Sequence, residues 1–424
     1  MPKKNTLLSP YRALDLTDEK GFLCGKILAD MGADVIKIER PGGDPARRIG
    51  PFYHDDPRPE KSLYWCAYNT NKRGITLNIE TAEGQQIFKQ LVETADFVIE
   101  SFDPGYMGRL GLSYPDLEKI NRRIIMISIT PFGQSGPYVE QRYKVNDMIL
   151  FALSGFMYPN GDPDCAPNQF TFPQAYLNGA AEAAPAALTA LHAREITGEG
   201  QHVDVSIQEA LQTCNQMMLP MWDMYKFIGP RGLQKGGAYR RPDGTTVNAS
   251  TLFPCKDGLI YLLLGGGALR AMAQSGNELI KLMDEAGMAG DLKDYDWATY
   301  DSSTVSPEQI DHLWSNVSSY LKTVTKDEFY KLAVERKILG CPIQDPQDIA
   351  KSPQLASREF FVNIEHPELG DTITYCGPFV KFSETPMERW RRAPLIGEHN
   401  KELYENELGF TYEQLLSLRQ ANII

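Results

Sequence analysis

Two groups of side chains in this sequence have types and spacing suited to chemistry: cations set in loops, and carboxylates around one long helix. Arg40, Lys72, Arg73, Arg109 and Lys144, the last with Arg142 two places before it, stand in or beside short segments rich in Gly, Pro or charge. Guanidinium and ammonium groups at such places, backed by backbone N–H donors, are what phosphates require. The carboxylate group is defined by a gap. The stretch QAYLNGAAEAAPAALTALHAREITGEGQ, residues 174–201, holds a long helical segment, yet residues 165–181 contain neither Asp nor Glu. The nearest acids are Asp164, in the turn GDPDCAPNQ, and Glu182, well inside the helix. His366 and His399 have neither metal-ligand spacing nor a Ser or Cys partner in sequence, so both are read as structural hydrogen-bonders. The seven Cys (24, 66, 165, 214, 255, 341, 376) are scattered without CxxC spacing and are read as reduced thiols, so no metal is expected.

The elements that must hold these groups read as an α/β scaffold. RALDL, DVIKIER, DFVIESF, RIIMISIT and HVDVSI have the apolar density of strands, and FLCGKILADMGA, TAEGQQIFKQLVETA, residues 114–121 and a long segment from about Ala180 to Arg194 read as helices. Strands separated by helices of this length imply a parallel sheet covered on both faces, with ligands held in the loops beyond the carboxyl ends of the strands. Those loops are residues 17–21, 40–47, 101–105 and 131–137. After residue 224 the texture changes to hairpin-like and polar helical segments. The division predicted is a large domain from residues 1–224 and 331–424, with a smaller α+β domain over 225–330 between them. A chain of 424 residues with 42% hydrophobic and 23% charged residues can bury a full core. A net charge of −12 disfavours non-specific nucleic-acid binding, so any anionic ligand must meet a local basic patch. No apolar run approaches the ~20 residues a membrane span needs, and the start MPKKNTLLSPYR is too weakly apolar for a signal peptide, so a cytoplasmic protein is expected.

Eight blocks in order carry a resemblance: ILADMGADVIKIERPGGDPAR, YNTNKRGITLNI, PGYMGRLGL, FGQSGPY, NDMILFALSG, REITGEGQHVDVS, LGCPIQDPQDIAKSPQLASREFF and PLIGEHNKELYENELGF. Together they resemble the family III CoA-transferases, also called the CaiB/BaiF family, over essentially the whole chain. The resemblance implies a Rossmann-like large domain formed from both chain ends, an inserted small domain, and an interlocked dimer. It implies coenzyme A or acyl-CoA as substrate, with Arg40, Lys72, Arg73, Arg109 and Lys144 in blocks that carry basic residues at the CoA site. It also leaves Gly265, Gly266 and Gly267 open between a loop that closes over an acyl group and a tight turn needing positive φ.

The same resemblance implies a mechanism and exposes a departure from it. In the family an Asp at the head of this helix attacks the donor thioester, giving a mixed anhydride and CoA thiolate. It later carries CoA as a thioester before the new acyl-CoA is released. In this sequence that position falls at Ala175 or Tyr176. A second departure agrees: TDEKGFLCGK places Asp18, Glu19 and Lys20 where small neutral residues are usual, and added carboxylates oppose a developing negative charge. The His–Asp pair of the racemase branch, expected near Val145 and residue 175, is missing too. What this implies is a non-catalytic subunit that pairs with a paralogous catalytic subunit in an interlocked heterodimer or heterotetramer. Two alternatives stay open: a homomeric enzyme using Asp164, Glu182 or a carboxylate of the facing chain, and a CoA-binding scaffold without turnover. Met157, Phe170, Phe172 and Tyr176 suggest only an apolar neighbourhood for the acyl group.

Overall fold

Continuous apolar runs such as IMISIT suit strands buried on both faces, as in a parallel sheet, and the computed structural model places them there. It describes residues 6–161, 165–214, 216–229, 231, 238–240, 246–248, 250–267, 269–301, 304–387 and 390–424. The chain divides into two units, the first comprising residues 1–156, 170–216 and 355–424 and the second residues 157–169 and 217–354. The second unit therefore begins earlier and ends later than the 225–330 segment expected from the sequence.

In chain order the first unit begins with β1 (Arg12–Asp15), α1 (Phe22–Asp30), β2 (Asp34–Glu39), α2 (Leu63–Tyr68), β3 (Arg73–Thr76), α3 (Ala82–Val92) and β4 (Phe97–Glu100). It continues with α4 (Tyr106–Arg109), α5 (Tyr114–Glu118), β5 (Ile125–Thr130), α6 (Pro137–Glu140), α7 (Asp147–Leu153), α8 (Ala175–Thr197), β6 (His202–Ser206) and α9 (Ile207–Cys214). The six strands form one sheet in the order β3-β2-β1-β4-β5-β6, every neighbouring pair parallel. The order reverses direction between β1 and β4, and a crevice at the carboxyl ends of the strands is expected at such a point. α3 shows why the helices pack: Ile87, Phe88, Leu91 and Val92 recur on one face and are buried against the sheet, while Thr81 caps the first turn by accepting from the Gly84 N–H. Each such side chain contributes about 1.5–3 kcal/mol when fully buried. The C-terminal segment completes this core. Leu403, Tyr404, Leu415, Ile423 and Ile424 join the cluster around β1–β4, and the Tyr404 hydroxyl donates to the Thr76 carbonyl at 2.7 Å.

α8 runs longer than its sequence predicts, starting at Ala175 rather than near residue 180. Its small residues allow close approach: a Cβ on Gly179 would lie 2.6 Å from Ile207 Cγ1, so α8 and α9 meet at a distance only glycine permits. Gly198, at φ +81°, ends the helix in the left-handed conformation.

The second unit holds α10 (Met218–Tyr225), β7 (Ala238–Arg240), β8 (Thr246–Asn248), β9 (Leu252–Cys255), β10 (Gly258–Leu262), α11 (Arg270–Glu285), α12 (Pro307–Leu321), α13 (Lys326–Arg336), β11 (Gly340–Ile343) and α14 (Pro346–Ala350). β10 pairs antiparallel with both β9 and β11. The segment ILGCPIQ, expected to return to the large domain, thus supplies an edge strand of the small sheet. α15 (Pro353–Ser357) leads back to the first unit, where β12 (Phe361–His366) and β13 (Asp371–Cys376) form a hairpin and α16 (Tyr412–Gln420) closes the chain.

Candidate active site

The head of α8 is built from two places in the chain. Ala175, its first residue, is fully buried, and the helix has neither a capping side chain of its own nor an acid in its first turn. The free N–H groups there are satisfied by α7 instead. Asp147 Oδ1 accepts from the Tyr176 N–H at 2.9 Å and Oδ2 from the Gln174 N–H at 3.2 Å. A carboxylate at a helix N-terminus meets both unpaired donors and the positive end of the helix dipole. Burial nevertheless holds the Asp147 carboxyl above its ordinary value, although the N–H groups of Tyr176, Gln174 and Ala175 favour its charged form. Asp147 was not singled out from the sequence, where an acid following Asn146 reads as an ordinary start to α7. Glu182 is exposed on α8 and away from its head. Asp164 lies outside the described residues.

Further acids stand at the carboxyl ends of β1 and β4, where the sheet order reverses. Asp18 accepts from Ser101 Oγ at 2.8 Å and pairs with Lys20. Burial, then the charge of Asp18, raises the Glu19 carboxyl. Glu100, the last residue of β4, is pushed up to about 7 by burial, against the opposing hydrogen bonds from Ser128 and the Phe102 N–H. Burial first, then Glu19, Asp18 and Asp147, hold the Tyr176 phenol above its usual range, and burial and then Tyr68 raise Tyr64, with the same three acids adding to it. The region around the α8 head is therefore rich in carboxyl groups. Such surroundings favour protonated acids and disfavour an added anion.

The cations gather elsewhere. Beyond β4 and β5 lies a cavity of about 320 Å³ lined by Arg109, Arg142 and Lys144, with Phe132, Tyr138 and Tyr143 as aromatic walls. Tyr138 and Tyr143 stack at 4.9 Å between centroids. Arg109 lies over the Tyr106 ring at 5.5 Å, and the Tyr106 hydroxyl donates to Glu80, which also pairs with Arg40 at 2.8 Å. Lys144 pairs with Asp103 on the cavity rim. Arg40, Arg109 and Lys144 are thus brought to one end of the sheet, Arg40 and Lys144 each paired with an exposed carboxylate that a phosphate can replace, and Arg109 exposed beside the half-buried Tyr106 ring. Cations, stacked rings and a concave wall fit the phosphorylated nucleoside end of a ligand.

Lys72 and Arg73 belong to the interior, which corrects the expectation that they face a ligand. Lys72 Nζ donates to Asp15 Oδ2 at 2.7 Å, to the Phe22 carbonyl at 2.9 Å and to Asn69 Oδ1 at 2.9 Å, so its three donors are all engaged. Arg73 donates to Asp34, Glu402 and Glu407 and ties β2 to the C-terminal segment. Sequence could not separate these two from the cavity cations, because all five stand beside loops.

The glycine run is a packed turn within the second unit. A Cβ on Gly266 would lie 1.7 Å from the Trp297 carbonyl oxygen, and Gly267 has φ +61°. His366 is buried between Glu368 at 2.8 Å and the Tyr375 hydroxyl at 2.9 Å, and His399 Nδ1 accepts from the Gly74 N–H at 3.1 Å. Both engage the fold's own groups. Phe170 and Phe172 are exposed. Among the described residues no group of three or more His, Cys, Asp or Glu is arranged to hold a metal ion, and no helix is long and apolar enough to cross a membrane.

The sequence model of CoA-transferase family III matches residues 9–400. The chain is 35% identical over 397 residues to succinyl-CoA:(R)-benzylsuccinate CoA-transferase subunit BbsE of Thauera aromatica, covering 93% of each. It is 30% identical to succinyl-CoA–D-citramalate CoA-transferase of Chloroflexus aurantiacus, covering 95% of this chain and 94% of that one. A crystal structure of a CaiB/BaiF family protein from Brucella suis superposes with a TM-score of 0.79 at 26% identity, over 95% of this chain and all of the other.

Proposed function

The chain belongs to the family III CoA-transferases, and from that premise we propose that it is the subunit of a hetero-oligomeric transferase that binds acyl-CoA without supplying the carboxylate that is acylated. The observation that carries this reading is the head of α8. Ala175 and Tyr176, where the family resemblance puts the acid, are buried, and the N–H groups of Gln174 and Tyr176 are already taken by Asp147. In this reading the cavity of Arg109, Arg142 and Lys144, with Arg40 beside it, holds the nucleotide end of CoA. A paralogous catalytic subunit in an interlocked heterodimer or heterotetramer supplies the nucleophile, and the complex works in the cytoplasm. Exposed apolar side chains support a protein partner: Met148, Ile149 and Leu153 on α7, and Leu219, Trp222, Met224 and Tyr225 on α10. Likeness to BbsE supports succinyl-CoA as donor and (R)-benzylsuccinate as acceptor.

The test is exchange of CoA between those two acids by the purified chain, alone and mixed with its paralogue. Exchange in the mixture and none alone is expected; turnover by the chain alone at an ordinary enzymatic rate would overturn the reading. One observation favours a second reading, a homomeric enzyme: Asp147 brings a carboxylate to the α8 head from α7. Hydroxylamine trapping in the presence of succinyl-CoA separates the two, since the second requires a hydroxamate on Asp147 and the first leaves this chain unlabelled.

A further inference from the structure

Thr130 ends β5 and forms part of the wall of the 320 Å³ cavity that holds Arg109, Arg142 and Lys144. The residue is completely buried, yet its hydroxyl has no hydrogen-bond partner among the described residues. Of the five buried side-chain nitrogen and oxygen atoms in that state, the Thr130 oxygen is the one belonging to a wall of this cavity. Buried hydroxyls are nearly always paired, because an unpaired one keeps the desolvation cost and gains nothing. Ser128, two residues earlier on the same strand, obeys this rule by meeting His202 Nε2 at 2.9 Å. The exception leaves the hydroxyl open to a partner from outside the chain.

We propose that Thr130 is a specificity-determining contact of the cavity, its hydroxyl hydrogen-bonding the purine ring of a phosphorylated nucleoside. This rests on the reading of the cavity as the seat of CoA's nucleotide end and adds a residue to it. The division of labour follows from the chemistry of the walls. Arg109, Arg142 and Lys144 are exposed at the mouth or rim and meet charge, which reports only that phosphates are present. Phe132, Tyr138 and Tyr143 offer faces on which a planar ring stacks whatever its substituents. A hydroxyl that both donates and accepts reads the ring's edge, and leaving it unpaired when the wrong ring binds penalises that ligand.

The experiment is calorimetric titration of the purified chain with coenzyme A, for the wild type, Thr130→Val, Thr130→Ser and Arg109→Ala, together with the thermal midpoint of each without ligand. Thr130→Val, which keeps the side-chain shape, is expected to bind CoA about tenfold more weakly, equivalent to ~1.4 kcal/mol. Thr130→Ser is expected to stay close to the wild type. The ligand-free midpoint of Thr130→Val should equal or exceed that of the wild type, because the lost hydroxyl had no partner to lose. Wild-type CoA affinity in Thr130→Val, or a fall in its ligand-free midpoint, would overturn the assignment while Arg109→Ala still reports on the cavity. Failure of the wild type to bind CoA would overturn the cavity reading and this assignment with it.

Discussion

Replacing Lys72 with Met separates two accounts of the NKR segment. Were Lys72 a phosphate ligand, K72M would weaken CoA binding and leave the fold intact. In the structure its ammonium is fully buried with Asp15, and among the described residues the other cation near that carboxylate is Lys37, at 3.9 Å from Asp15 Oδ1. Removing one partner of a buried pair leaves an uncompensated charge and typically costs about 3–5 kcal/mol. Against a total stability of about 5–15 kcal/mol this is a large share. K72M is therefore expected to lose about 3–5 kcal/mol in chemical denaturation followed by circular dichroism. The double variant D15N/K72M should regain most of that, because the orphaned charge is gone. Acidification supplies an independent check. Burial alone would push the Asp15 carboxyl up, but Lys72 and then Lys37 outweigh it and hold it below its ordinary value. A depressed carboxyl contributes stability that is present above its unfolded value, near 4, and is lost as pH falls through the folded one. The wild type should lose this contribution only on acidification below about pH 4, and K72M should lack it throughout. A K72M protein with the wild-type denaturation midpoint and much weaker CoA binding would refute the placement of Lys72 in the interior network.

Arg109→Ala and Lys144→Ala should each weaken CoA about 10- to 100-fold, the range for a charge-assisted hydrogen bond, with a shallower salt dependence by calorimetry. Asp147→Ala removes the acceptor for the α8 head and is expected to cost about 0.5–2 kcal/mol, read as a lower thermal midpoint. Gly266→Ala forces a Cβ against the Trp297 carbonyl and should destabilise the second unit by at least about 1–3 kcal/mol, visible as faster amide exchange in β10 and α11. Glu100→Gln tests the raised carboxyl. A group held at about 7 in the folded state binds more protons than its unfolded counterpart at 4.5, so wild-type stability should fall as pH rises between those values relative to the variant. Parallel stability–pH curves for the two proteins would contradict that assignment.

How much of this was legible in the sequence depended on whether the cause was local. The strands of the large sheet were readable because burial on both faces demands continuous apolar residues, and IMISIT is buried at every position. The loops beyond β1, β2, β4 and β5 followed from the same reading. β3 was passed over as a strand, being four residues long, opened by Arg73 and preceded by Lys72. GCPI looked like a return to the large sheet, but it pairs with β10, a choice that no local pattern encodes. α8 was read as starting late because its cap, Asp147, lies 27 to 29 residues away in the chain.

By itself the sequence determined the family, the parallel α/β scaffold, and the absence of any acid from residues 165–181, because apolar periodicity and residue identity are properties of the chain alone. Only the tertiary structure decided which cations are available to a ligand. Lys72 and Arg109 both stand beside loops, but one is enclosed by Asp15, Phe22 and Asn69 and the other opens onto a cavity. It also decided that the carboxylate at the head of α8 comes from α7. Burial and hydrogen bonding between distant segments set these outcomes, and they exist only once the chain has folded.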